Sequence, residues 1–134
     1  MPQHLAHVAL LVEEYDAALR FYVDTLGFEL LEDTPLGGGK RWVRVAPPNA
    51  PAGGCALLLA RADGNRQRER IGDQTGGRVG FFLHTNDFAT DYARLRAAGV
   101  RFREEPRREP YGTVAVFSDL YGNLWDLLEP AKRP

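Results

Sequence analysis

The stretch that decides the fold is His7-Val8-Ala9-Leu10-Leu11-Val12, followed by a helical pattern that stops at Leu26-Gly27-Phe28, because the chain repeats it. Val79-Gly80-Phe81-Phe82-Leu83-His84 leads through a second helical pattern to Ala98-Gly99-Val100. Each opening run is short and rich in aliphatic or aromatic residues, which predicts a mostly buried strand. Each helix ends on a glycine that suits a C-cap feeding the next strand. In the first half Leu19, Tyr22, Val23 and Leu26 recur at three- and four-residue spacings, predicting an amphipathic helix over 15–26. In the second, Tyr92, Leu95 and Ala98 give the stripe of a helix over 88–98.

The rest of each half follows the same order. Phe28 to Glu32 reads as a strand, Pro35 to Gly39 as a turn, Arg41 to Val45 as a period-two strand and Cys55 to Ala60 as the last strand. Pro47 to Gly54 cannot pair in a sheet. After the second helix, Val100 to Arg103, Thr113 to Ser118 and Leu124 to Glu129 complete the set. The fold class expected is α+β, with two tandem βαβββ modules at 4–61 and 78–130, joined by a polar connector at 62–77. At 134 residues the chain fits one domain, spanning 1–134.

Composition narrows the function classes. With 17 basic and 18 acidic residues the net charge is -1, so no global field attracts nucleic acid. The local cluster Arg66, Arg68 and Arg70 is interleaved with Glu69 and reads as a solvated loop or short helix. No segment is long and apolar enough to span a bilayer, and Met1-Pro2-Gln3-His4 lacks the pattern of a signal peptide. One cysteine, Cys55, excludes an internal disulfide and suits a reducing cytoplasm. It is expected to be a buried strand thiol.

His7-Val8-Ala9-Leu10-Leu11-Val12, Phe21-Tyr22, Leu26-Gly27-Phe28, Phe117-Ser118-Asp119 and Gly122-Asn123-Leu124-Trp125-Asp126-Leu127-Leu128-Glu129 together resemble the vicinal oxygen chelate superfamily. That superfamily includes glyoxalase I, fosfomycin-resistance transferases, extradiol dioxygenases and bleomycin-resistance proteins. The resemblance implies sheets curling around a concave cavity, commonly in a homodimer. It also implies metal ligands on the first and last strands of each module in the metal-dependent members.

His7 falls on the first-strand ligand position and Glu129 on that of the last strand, so both are candidate catalytic and metal-binding residues. The other two positions are empty of donors. Gly80 stands where a second histidine would be, and no residue from Cys55 to Arg61 is Asp, Glu, His or Gln. Two ligands are too few for firm binding of a divalent metal ion. His84 is four residues beyond Gly80, about 13 Å along a strand, too far to close the same site without a bulge.

If the ligand side carries His7 and Glu129, period two adds Leu11, Gly80, Phe82, His84, Trp125 and Leu127. Trp42 and Arg44 share one face of their strand and Arg41 and Val43 the other; the sequence leaves open which faces the ligand. Tyr111 lies in a loop expected to cover the cavity mouth. Gly80 is read as a bulge or as room for a ligand.

Two main function classes follow, with a weaker third. One is a module that sequesters a hydrophobic or aromatic small molecule, as the resemblance to bleomycin-resistance proteins implies. The other is a lyase, isomerase or dioxygenase, metal-dependent or using His7 or Glu129 as acid or base. A third, a structural partner with a self-filled cavity, fits the aromatic content too. The incomplete ligand set favours the binding module.

Overall fold

The computed structural model describes residues 1–132. These form an α+β structure in two compact units, Met1–Ile71 and the chain from Gly72 onward. Each unit contains its own sheet.

In unit one, β1 (His7–Val12), β2 (Glu29–Gly37), β3 (Lys40–Ala46) and β4 (Ala56–Arg61) make a four-stranded sheet ordered β1-β4-β3-β2. The β1–β4 pair is parallel and the others antiparallel, so the sheet is mixed. Leu10, Leu59 and Val43 are neighbours across three strands and are fully or almost fully buried. They face the helix, whose Ala18, Tyr22 and Leu26 are buried as well. This is the helix that the three- and four-residue stripe predicts, with one change. α1 (Tyr15–Leu19) is α-helical, but Arg20–Thr25 winds as a π-helix, in which the Leu26 N–H donates to the Phe21 carbonyl at 2.8 Å. The wider turn keeps Tyr22 wholly buried beside Phe28, and a pattern of apolar spacings does not report it.

β2 also runs further than expected, to Gly37, because its pairing with β3 continues through Pro35 and a bulge. Pro35 sits on the edge strand of this sheet, where a missing N–H is tolerated. Cys55 precedes β4 and is exposed, which corrects the expectation of a buried thiol. α2 (Asn65–Arg68) is the short helix in the polar connector.

Unit two repeats the plan. β5 (Val79–His84), α3 (Phe88–Ala97), β6 (Arg101–Phe102), β8 (Gly112–Ser118) and β9 (Leu124–Pro130) correspond to the expected elements. The additional β7 (Arg107–Glu109) pairs with β8 in a sheet ordered β5-β9-β8-β6. Again the first and last strands are parallel. One column of rings fills the space under α3: Phe81 stacks on Trp125, Trp125 on Phe117, and Phe117 meets Phe102, which meets Tyr92 of the helix. Among the described residues, no helix is long and apolar enough to cross a membrane.

Candidate functional site

The helix covers one face of each sheet, so the side chains on the other face are the ones available to a ligand. In unit one the register sorts them. Leu10, Leu59 and Val43 look toward the helix, so His7, Ala9 and Leu11 of β1 look away from it, with Ala56, Leu58 and Ala60 of β4 and Trp42, Arg44 and Ala46 of β3. Four expected residues, His7, Leu11, Trp42 and Arg44, thus share this helix-free face. The open question about β3 is settled: Trp42 and Arg44 belong with His7, and Arg41 and Val43 with the helix.

His7 and Trp42 meet edge to face, with ring centroids 5.4 Å apart and planes at 82°. Between their strands β4 presents Ala56, Leu58 and Ala60 on this face. The Nδ1 atom of His7 is buried and has no hydrogen-bond partner among the described residues. An unsatisfied buried nitrogen costs about 1–3 kcal/mol. Beside this pair, Arg44 Nε lies 3.3 Å from Glu32 Oε1, giving the face a polar margin.

Unit two corrects the expected allocation. Phe81, Trp125 and Phe117 are on the helix side, and period two carries Leu127 and Glu129 with them. Trp125 is 4% exposed and Leu127 0%, both part of the core. The Glu129 carboxylate accepts the Phe88 N–H at 2.7 Å, at the start of α3. There it satisfies a backbone donor that the helix leaves over and interacts favourably with the positive helix end. Asp87 performs the neighbouring task by accepting from Thr90 N.

The helix-free face of unit two carries Phe82 and His84 of β5, with Asp126 directly opposite Phe82 and Leu128 opposite His84. Phe82 is 63% exposed, a large apolar surface on this face. Asp126 was not among the expected residues. Burial raises its carboxyl above the ordinary range, nearby Arg107 works against this, and Glu104 adds to it. The signal was present in the alternation of Leu124 to Glu129: Trp125 and Leu127 are the natural core pair, which leaves Asp126 on the opposite side.

Two further expectations change. Gly80 does lie at a bulge, between Val79 and Phe81 of the β5–β9 register, but the space beside it is not ligand volume. A Cβ there would come 2.5 Å from Thr75 Cγ2, so Thr75 already occupies the position. Tyr111 sits in the tight turn between β7 and β8 rather than in an open loop, and there its carbonyl accepts the Ala131 N–H at 2.8 Å and its hydroxyl meets Arg107.

Comparison with known proteins agrees with this architecture. The model of the Glyoxalase/Bleomycin resistance protein/Dioxygenase superfamily matches residues 4–127. The chain belongs to this superfamily. An uncharacterised protein of Shewanella frigidimarina (strain NCIMB 400) is 52% identical over 130 residues, covering 96% of this chain and 95% of its own. Among solved structures, UcmS2 superposes with a TM-score of 0.81 and 34% identity over 96% of this chain and 98% of its own. TnmS3, an antibiotic binding protein from Streptomyces sp. CB03234, superposes with a TM-score of 0.76 and 33% identity over 97% and 98% of the two chains.

Metal-dependent members of the superfamily imply a divalent cation, and the residues present do not fit one. In unit one His7 has no carboxylate or second imidazole across the sheet, since β4 offers Ala56, Leu58 and Ala60 on its face. In unit two the position expected of a histidine is Gly80, and Glu129 turns toward α3. Within either unit, among the described residues, no three His, Cys, Asp or Glu side chains gather as a cation site. A stable site for a divalent transition ion needs at least three such donors.

Proposed function

We propose that this protein binds a flat hydrophobic or aromatic small molecule and sequesters it, without a resident metal. The observation that carries the reading is the His7–Trp42 pair: an edge-to-face aromatic contact on the helix-free face, beside a buried imidazole nitrogen awaiting a partner. A planar ligand laid on Trp42 gains ring stacking worth about 1 kcal/mol beyond its burial. Leu11 and Leu58 extend the apolar floor, and the Arg44–Glu32 pair supplies a polar edge that fixes orientation.

The likeness to TnmS3 supports an antibiotic as the ligand. A homodimer in the cytoplasm is part of the proposal: each sheet ends in edge strands of the kind that pairing between copies covers, and exposed Cys55 suits a reducing compartment.

The test is thermal denaturation of chelator-treated protein against polycyclic aromatic antibiotics. A ligand that binds only the native state raises Tm by mass action. The expected result is a shift that chelation leaves unchanged and that Trp42→Ala abolishes. A shift that disappears with chelation and returns with a divalent metal supports the metalloenzyme reading instead.

A further inference from the structure

The helix-free face of unit two brings an exposed aromatic ring beside a carboxyl group. Phe82 of β5 and Asp126 of β9 are register partners in a parallel pair, so ring and carboxyl share one face on strands about 4.8 Å apart. The neighbouring residues show the contrast. Phe81 stacks on Trp125 at 4.6 Å in the core, whereas Phe82 is 63% exposed and meets no other ring among the described residues. Asp126 likewise makes no hydrogen bond and no ion pair among the described residues.

The surroundings of that carboxyl are apolar. Val116 of β8 is its partner on the other side, and Leu128, two residues along β9, is 8% exposed. Burial among these side chains opposes its charge, Arg107 favours it and Glu104 opposes it. A carboxylate in such a place attracts a cation more strongly than one in open water, because less solvent screens the pair.

The charge around Asp126 decides what it can hold. Arg107, the cation that acts on it, is already engaged, with Nη2 at 3.3 Å from Glu104 Oε1 and Nη1 at 3.0 Å from Glu109 Oε1. One guanidinium among the carboxyls of Glu104, Glu109 and Asp126 leaves an excess of negative charge. Arg101 and Arg103 are exposed and stand beyond Ser118 and Val116, two strands from β9 and about 10 Å away at the backbone, near the screening length in physiological salt. Arg108 is opposite Thr113 and takes the other face. His84, exposed and two residues beyond Phe82, bounds the site along β5.

An ammonium group is attracted by a ring face as well as by a carboxylate, and a primary or secondary amine brings N–H donors for the carboxylate oxygens. The apolar body attached to the nitrogen can cover the Phe82 ring and remove its surface from water. From this juxtaposition we infer that unit two carries a binding site for a lipophilic amine, its ammonium group on Asp126 and its apolar body against Phe82. This site stands on unit two alone and does not depend on the His7–Trp42 contact.

Calorimetric titration at low salt with three molecules of one shape tests it: 1-adamantylammonium, the neutral 1-adamantanol and adamantane-1-carboxylate. Wild-type protein is expected to bind the amine about tenfold more tightly than the alcohol, and the carboxylate least. Asp126→Asn, with Asp126→Ser as a second variant, should bring amine and alcohol to within about twofold. Phe82→Ala should weaken amine and alcohol alike by about three- to tenfold and keep most of their ratio. Melting curves check that each variant is folded. Raising salt should weaken the amine and leave the alcohol unchanged. Equal affinity for amine and alcohol, a preference that survives both Asp126 variants, indifference to Phe82→Ala, or no saturable binding of the amine at millimolar concentration overturns the inference. Sedimentation velocity covers the other occupant of an exposed ring: a dimer that Phe82→Ala dissociates, together with no amine binding, assigns Phe82 to a contact between copies and overturns the amine site.

Discussion

The two modules carry one plan of strands and use their equivalent positions differently. On unit one the first strand turns His7 toward the helix-free face, where it meets Trp42 and has a buried nitrogen without a partner among the described residues. On unit two the matching strand has Gly80, packed against Thr75, and the last strand directs Glu129 to the N-terminus of α3. The tryptophans divide in the same way: Trp42 belongs to the helix-free face, whereas Trp125 is a ring in the core column. A repeat preserves backbone positions because they build the sheet.

Substituting the tryptophans separates the two uses most strongly. Trp125→Ala should cost about 3–5 kcal/mol of stability in a denaturant titration, because it leaves a cavity between Phe81 and Phe117. Trp42→Ala should cost far less stability and should weaken an aromatic ligand about tenfold. Equal destabilisation by both would erase the distinction.

Gly80 offers the next largest effect. Gly80→Ala should destabilise by about 1–3 kcal/mol because the new methyl overlaps Thr75 Cγ2. Adding Thr75→Ser removes that methyl while keeping the hydroxyl that donates to the Arg78 carbonyl, so much of the loss should return. No rescue in the double variant would place the strain elsewhere.

Glu129→Ala should cost about 1–2 kcal/mol through the unsatisfied Phe88 N–H, with ligand affinity changed less than twofold. A large loss of affinity without loss of stability would return Glu129 to a direct functional role.

The smallest effects are those of pH, and their signs oppose. Hydrogen bonding to Arg41 holds the Asp33 carboxyl below its ordinary value of 3.8. Its contribution is therefore present above 3.8 and fades as pH falls through the lowered value, so Asp33→Asn should shallow the acid limb of a stability profile. Burial holds Asp126 above 3.8. In the window between 3.8 and the raised value the folded state retains a proton that the unfolded chain releases, so stability falls as pH rises through it. Asp126→Asn should flatten that shallow decline.

The strand–helix–strand repeat was legible because apolar period and glycine stops are local signals. His7 with Leu11 was legible for the same reason, one strand being enough to set their shared face. The facing of β9 was signalled by Trp125 and Leu127 as a core pair with Asp126 opposite, but the role of Glu129 was not, because its partner is a helix end forty-one residues away in sequence. The π-helical turn, the Thr75 filling of Gly80 and the β7–β8 hairpin under Tyr111 are likewise set by tertiary contacts. The Arg61–Tyr15 stack joins a strand end to a helix start, a pairing no local spacing announces.

The central claim, that the face bearing His7 and Trp42 takes up aromatic ligands, is tested most directly by tryptophan fluorescence during titration with a polycyclic aromatic antibiotic. Trp125 is in the core, so saturable quenching should come from Trp42 and vanish in Trp42→Phe while circular dichroism stays unchanged. Quenching of equal depth and midpoint in Trp42→Phe would contradict the account.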